Sequence, residues 1–277
     1  MSKKEVLFFG NCQPDVLRWI LNLPVEYNCK YIPVHWDTVV SEEYLKETVQ
    51  KSDVIICQPV KDGYRGFSHL NTKFILDNKR DETVMIIFNS CFFKFYFFDH
   101  ISNIEKNGVS RKLVYDRKYM VEYYKQGKSP EDYIADCIED PDFKSVEELE
   151  SYLQEDFDEL DKRYDEMIEK YNGSNVHHIS LKDYIVENFR ERLLFYTPNH
   201  PSKEIFHYLS KVISEILQVK TNVKTHIDTL SHTVSPIYKC VGKIVNFELR
   251  NHPMKMLGSS DVNDIVKLFF KEYDELL

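Results

Sequence analysis

Apolar positions in the first ninety residues come in short unbroken runs, separated by stretches with helical spacing. Lys4 to Phe9 reads as a strand ending in Gly10-Asn11-Cys12-Gln13, after which Val16, Leu17, Ile20 and Leu21 share one helical face. Pro14 falls in the first turn of that helix, where its missing N–H costs nothing. Cys29 to Val34 reads as a second strand, Ser41 opens a helix to about Lys51, and Asp53 to Cys57 is a third strand stopped by Gln58-Pro59. Leu70 to Asn78 reads as helix and Thr83 to Phe88 as a fourth strand, ending in Asn89-Ser90. Strands that alternate with helices and lack polar alternation predict a parallel sheet covered on both faces. The expected fold is α/β: a flavodoxin-like three-layer sandwich around a mainly parallel sheet of about five strands.

The period then changes. Val146, Leu149, Leu153, Phe157, Leu160, Tyr164, Met167 and Tyr171 recur at spacings of three and four among acidic neighbours, which predicts one long amphipathic helix closed by Asn172-Gly173. The stretch from about 119 to 172 reads as an acidic helical insertion, a hairpin or cap, within a single α/β domain spanning 1–277. Arg192 to Tyr196 reads as the last core strand and Thr197 to Ser202 as a loop. Ser202 caps a helix through Leu217, and a final helix runs from Asp261 to about Tyr273.

Charge refines this picture. The chain of 277 residues carries a net −9, which argues against a general nucleic-acid binder. Glu131 to Glu169 holds 17 acidic and three basic residues, a local −14, so the remainder stands at +5 and suits an anionic ligand. No apolar run approaches the ~18 residues of a membrane span. The six cysteines are scattered with no CxxC pair, and the expectation is a reduced, soluble, cytoplasmic protein. Neither GxGxxG nor GxxxxGK[ST] occurs. His177 and His178 are adjacent, and His226 and His232 stand apart, so no metal site is expected.

Polar groups at the carboxyl ends of predicted strands are the candidate chemistry, because ligands bind at that edge in open α/β sheets. Cys12 lies at a strand-to-helix turn, where the helix dipole and free N–H groups are expected to lower a thiol pKa. Gln58 and Asn89 follow the third and fourth strands, and His200 lies between two prolines. Cys12 with His200 as base makes a nucleophilic pair; Asn11, Gln13, Gln58 and Asn89 are the oxyanion or substrate-binding candidates. Taken singly, each has a plainer reading: a small buried hydrophobe for the thiol, turn or capping residues for the others.

Three segments carry a resemblance: Phe8-Phe9-Gly10-Asn11-Cys12-Gln13, Cys57-Gln58-Pro59-Val60, and Phe195-Tyr196-Thr197-Pro198-Asn199-His200-Pro201. Together they resemble the WcbI-type family of capsular polysaccharide biosynthesis proteins, acetyltransferases of SGNH-hydrolase-like character. The resemblance runs from about residue 5 to 217. It implies transfer of an acyl group from acetyl-coenzyme A, as co-substrate, to a saccharide or polysaccharide precursor. Cys12 then stands where the SGNH serine would be, Asn89 at the oxyanion asparagine and His200 at the late histidine. Thr197 replaces the acid three positions before that histidine, which favours a dyad over a triad. The coenzyme's phosphates are expected near Arg65 or Lys73, or on another basic patch of the core, away from the Glu131–Glu169 face. The alternatives are an SGNH-type esterase or deacetylase, and a non-catalytic carbohydrate- or nucleotide-binding protein.

Overall fold

The computed structural model describes residues 3–101, 115–249, 259 and 261–277. Its elements run β1 (Lys4–Gly10), α1 (Cys12–Leu21), β2 (Tyr27–Pro33), α2 (Glu42–Lys51), β3 (Val54–Cys57), α3 (Thr72–Asn78), β4 (Val84–Phe88), α4 (Lys118–Lys125), α5 (Pro130–Tyr133), α6 (Val146–Lys170), β5 (Val176–Ile179), α7 (Lys182–Asn188), β6 (Phe195–Thr197), β7 (His200–Pro201), α8 (Lys203–Leu217) and α9 (Val262–Leu276). No described helix is long and apolar enough to cross a membrane.

Contacts divide the chain into two compact units. The first comprises Met1–Cys91, Glu159–Tyr184 and Lys203–Asp228; the second comprises Phe92–Asp158, Ile185–Ser202 and Thr229–Leu277.

The first unit holds a five-stranded sheet in the order β2-β1-β3-β4-β5, with every neighbouring pair parallel. The continuous apolar runs are explained by burial on both faces. Leu7, Phe9, Ile55, Cys57, Met85 and Ile87 point to one side and pack with Leu45 and Val49 of α2, Ile75 of α3, Met167 of α6 and Tyr171 just after it. Phe8, Ile56 and Ile86 alternate to the other side and are fully buried. There α1 packs along β1 and β2 and against α8. Each such side chain stabilises the fold by roughly 1.5–3 kcal/mol, which is why a polar residue inside β1 or β3 would be costly.

The fifth strand differs from the sequence expectation. It is Val176–Ile179, whereas the Arg192–Tyr196 region contributes Phe195–Thr197 to a separate two-stranded antiparallel sheet with His200–Pro201. The reason is position: β5 is an edge strand with only Ile179 buried, so it tolerates His177 and His178 and shows no apolar run. His200 therefore sits on a short strand of the second unit, not in a loop after a sheet strand.

The core of the second unit is aromatic. Phe93 meets the rings of Phe95, Tyr96, Phe157, Phe189 and Phe195 at 5.4–6.3 Å, and the Asp156 carboxylate accepts the backbone N–H groups of Lys94 and Phe95. Beside it lies a buried polar network. Arg117 pairs with Asp99 and donates to the Pro236 carbonyl at 2.9 Å. Tyr238 donates to Asp99 at 2.6 Å, and the Tyr133 and Tyr238 hydroxyls share a bond of 2.7 Å.

Candidate active site

The turn between β1 and α1 is built by four consecutive residues. Gly10 has φ +147°, and a Cβ there would lie 2.8 Å from Pro14 Cγ and 3.1 Å from Gln58 Oε1. Only glycine allows this turn with the Gln58 amide laid against it. The Asn11 side chain caps α1 by accepting from the Gln13 backbone N–H at 2.9 Å, and Tyr31 holds the Asn11 carbonyl at 2.6 Å. Cys12 is the first residue of α1.

Gln13 ties the strand ends together. Its Nε2 donates to the Cys91 carbonyl and its Oε1 accepts the Cys91 N–H, both at 3.0 Å, while Gln58 Nε2 donates to the same Oε1. With its backbone N–H taken by Asn11 and its amide by Cys91 and Gln58, Gln13 works as a brace across the loops after β1, β3 and β4.

The strand order reverses between β1 and β3, the place where an open α/β sheet leaves a crevice at its carboxyl edge. Two cavities lie there, of about 300 and 290 Å³, sharing Pro59, Lys61 and Ser90. The smaller is lined by Asn11, Gln58 and Tyr64 among others, the larger by Asn89 and the last turns of α6. Asn89 is 2% exposed, and among the described residues both of its amide atoms lack a partner; Gln58 Oε1 is likewise unpaired. Buried polar atoms are almost always satisfied, so these amides mark the crevice as a candidate binding site.

The basic groups at the crevice differ from those singled out in the sequence. Arg65 donates to the carbonyls of Val34 and Trp36 and lies 3.8 Å from Asp37. Lys73 pairs with Asp77 along α3 and lines neither cavity. Lys61, Arg163 and Lys170 line the larger one instead. Lys61 directly follows the Gln58-Pro59-Val60 strand end, and Arg163 and Lys170 stand seven apart on α6; both signals were readable in the sequence.

The electrostatics of Cys12 reverse the expectation. Burial pushes its thiol above the ordinary value; the residue's own backbone N–H opposes this less strongly, and Asp15 in the same turn adds a smaller push upward. Of the six cysteines, Cys12 and Cys29 are partly exposed and the other four are buried.

His200 belongs to the second unit. Its backbone N–H donates to Thr197 Oγ1 at 3.1 Å, so the threonine in the acid's place holds the main chain and leaves the ring without a carboxylate. Nε2 lies 3.4 Å from the Tyr115 hydroxyl, which donates to Asn199 Oδ1 at 2.8 Å. Nδ1 is buried without a partner among the described residues. Burial, with the charge of His232 behind it, pushes the imidazole down to about 4, so the ring is neutral at physiological pH.

Comparison with known proteins adds the family. The model of the family described as polysaccharide biosynthesis enzyme WcbI matches residues 5–222. Among solved structures, one described as WcbI, a novel polysaccharide biosynthesis enzyme, has a similar fold. That structure is of the native protein without a disulfide bond between coenzyme A and one of its cysteines. The two chains are 20% identical with a TM-score of 0.77, over 98% of this chain and 91% of that one. Among curated proteins none matches the sequence.

Proposed function

Because the chain belongs to the WcbI family of polysaccharide biosynthesis enzymes, we propose that it transfers an acyl group, acetyl in the simplest case, from acyl-coenzyme A to a saccharide hydroxyl. The observation that carries this reading is the thiol of Cys12 at the amino end of α1, next to Asn11, which lines the smaller cavity with Gln58, whose Oε1 lacks a partner among the described residues. The solved relative's description names coenzyme A and a cysteine, there without a disulfide bond between them, and Cys12 is the partly exposed thiol at the β1 turn. The amide N–H groups of a pantetheine arm are donors, which matches what Gln58 Oε1 lacks among the described residues.

In the reaction as proposed, the Cys12 sulfur attacks the thioester carbonyl as its proton passes to a base, a role assigned to His200. A carbon–sulfur bond to Cys12 forms, the bond to coenzyme A breaks, and coenzyme A leaves as the thiol after taking that proton. The saccharide hydroxyl then attacks the acyl-cysteine, gives its proton to the same base, and regenerates the Cys12 thiol. The SGNH-like element of the proposal is confined to Cys12 in the nucleophile's place, and the absence of a carboxylate at Thr197 makes the pair a dyad. The proposed setting is the cytoplasm, where acyl-coenzyme A is made.

The test is incubation with acetyl-coenzyme A without an acceptor, read by intact mass and by thermal shift. Stabilisation by coenzyme A and an acetyl adduct absent from Cys12→Ala are the expected results. Stabilisation with no adduct, and full transfer by Cys12→Ala, would move the chemistry to direct attack by the saccharide. Ester hydrolysis without any response to coenzyme A would replace the transferase with an esterase.

A further inference from the structure

The larger cavity of the first unit carries a charge pattern that its surroundings do not. Helix α6 contains 11 acidic and three basic residues. Two of those three bases, Arg163 and Lys170, nevertheless line the cavity, seven positions apart on one face, while Glu166 is the one acidic residue among its lining. Lys61 joins them from the β3 side and makes no ion pair among the described residues. Arg163 and Lys170 are balanced by Glu159 at 2.7 Å and Asp62 at 3.2 Å, outside the lining. With those partners counted, three positive groups meet three negative ones, so the cavity is locally neutral on an acidic helix in a chain of net charge −9, and Lys61 is its cation without an ion pair among the described residues.

The floor supplies the second requirement. Met167 and Tyr171 are 2% and 3% exposed and give an apolar and aromatic base. Asn89, 2% exposed, lines the same cavity with both amide atoms unpaired among the described residues. An anion offers acceptors only: it would satisfy Nδ2 and leave Oδ1 unpaired. A hydroxyl both donates and accepts, so neighbouring hydroxyls on a sugar ring satisfy both atoms. Asn89 and Lys61 together therefore ask for a polyol that also bears negative charge. The volume of about 300 Å³ is at the small end of ligand sites, roughly 300–1,000 Å³, and suits one sugar unit.

We propose that this cavity binds a saccharide carrying an anionic group, carboxylate or phosphate, with Lys61 as the charge-reading residue and Asn89 as the hydroxyl-reading one. It rests on the acyl-transfer reading for its role as acceptor subsite; the binding itself does not. The adjoining cavity, which shares Lys61 and is lined by Asn11, the residue before Cys12, is then left to the donor.

Ligand-observed NMR with the full chain separates the outcomes, using glucuronic acid, glucose 6-phosphate and glucose at millimolar concentration, with coenzyme A titrated in parallel. At least one anionic sugar should bind the wild type about tenfold more tightly than glucose, and Lys61→Glu or Arg163→Glu should remove that margin. Asn89→Ala should weaken glucose and anionic sugar alike while circular dichroism shows an intact fold. Which anionic sugar binds tells carboxylate from phosphate. Equal binding of glucose and both anionic sugars, or no sugar binding at all, overturns the proposal. Lys61→Glu that weakens coenzyme A yet leaves anionic-sugar binding unchanged also overturns it, by giving the cavity to the coenzyme. Sugar binding without coenzyme A binding sinks the acyl-transfer reading and leaves the cavity's assignment standing.

Discussion

Replacing Gln13 by Leu separates a brace from an oxyanion donor. The Gln13 amide satisfies three buried groups, the Cys91 N–H, the Cys91 carbonyl and Gln58 Nε2. Leucine has similar bulk and no polar atoms, so all three lose their partner in an interior where Gln13 is 1% exposed. Each orphaned group costs about 1–3 kcal/mol. If Gln58 turns its Nε2 to the freed Cys91 carbonyl, two of the three are rescued and the loss is about 2 kcal/mol; without that rearrangement it is about 4 kcal/mol. For a protein of this size the melting temperature should fall by roughly 5–15 °C. Urea unfolding, following tryptophan fluorescence and circular dichroism together, gives the free energy. A Gln13→Leu variant with unaltered stability and greatly reduced turnover would refute the brace and restore Gln13 as a donor to the reacting group.

Three further outcomes are expected. Burial holds the Cys12 thiol protonated, so iodoacetamide should label Cys12 slowly at neutral pH and faster as the pH rises past 9, with Cys29 the other site labelled in the native protein; rapid labelling of Cys12 at pH 7 would contradict this. His200 takes up a proton at pH 6.5 when unfolded but only near 4 when folded, so the stability tied to its neutral ring is complete above pH 6.5 and declines as the pH falls from 6.5 toward 4. Urea midpoints of wild type and His200→Gln, compared across that window, should converge in acid, and a constant difference would show that the ring is not held neutral. Asp99→Ala leaves Arg117 charged and buried without its carboxylate, at a cost of about 3–5 kcal/mol; calorimetry showing under ~1 kcal/mol of loss would mean that the pair is solvated.

Strands β1, β3 and β4 were legible because burial on both faces writes itself as unbroken apolar runs, and because Gly10, Gln58-Pro59 and Asn89-Ser90 mark where those runs stop. β5 was not, because an edge strand is read from its neighbour's hydrogen bonds more than from its own side chains, and Val176-His177-His178-Ile179 has little apolar signal. Phe195–Thr197 shows the converse. A buried hydrophobic run looks like a sheet strand whether its partner is β4 or the two residues of β7, and pairing is a long-range fact that periodicity does not carry. The same holds for the second unit, assembled from three separated stretches whose common feature is a cluster of aromatic rings. In the candidate site, the placement of Asn11, Gln58 and Asn89 on the carboxyl edge was readable from strand ends. The use of Gln13 was not, since a glutamine aimed at a backbone loop and one aimed at a substrate look alike in sequence.

Cys12 shows most clearly where a local argument loses to a global one. A helix N-terminus favours a thiolate by about 0.3–1 kcal/mol, less than one pKa unit at about 1.4 kcal/mol per unit. Removal from water opposes the thiolate by up to about 3–5 units in a fully buried site. Sequence supplies the first sign, since the turn and the helix are both visible in it. Only the fold supplies the second, and at Cys12 it is the larger. The consequence reaches the chemistry. The thiol lies above its ordinary value and the His200 imidazole below its own, so at neutral pH both groups are uncharged. A preformed thiolate–imidazolium pair would require a proton to move from the weaker acid to the weaker base before any substrate arrives. In the proposed reaction the proton must instead leave Cys12 as the carbon–sulfur bond forms, with the acyl carbonyl taking up the developing charge. The acid limb of the activity profile then reports His200 and lies well below pH 6.5, whereas a resting ion pair would hold the imidazolium charged far above it.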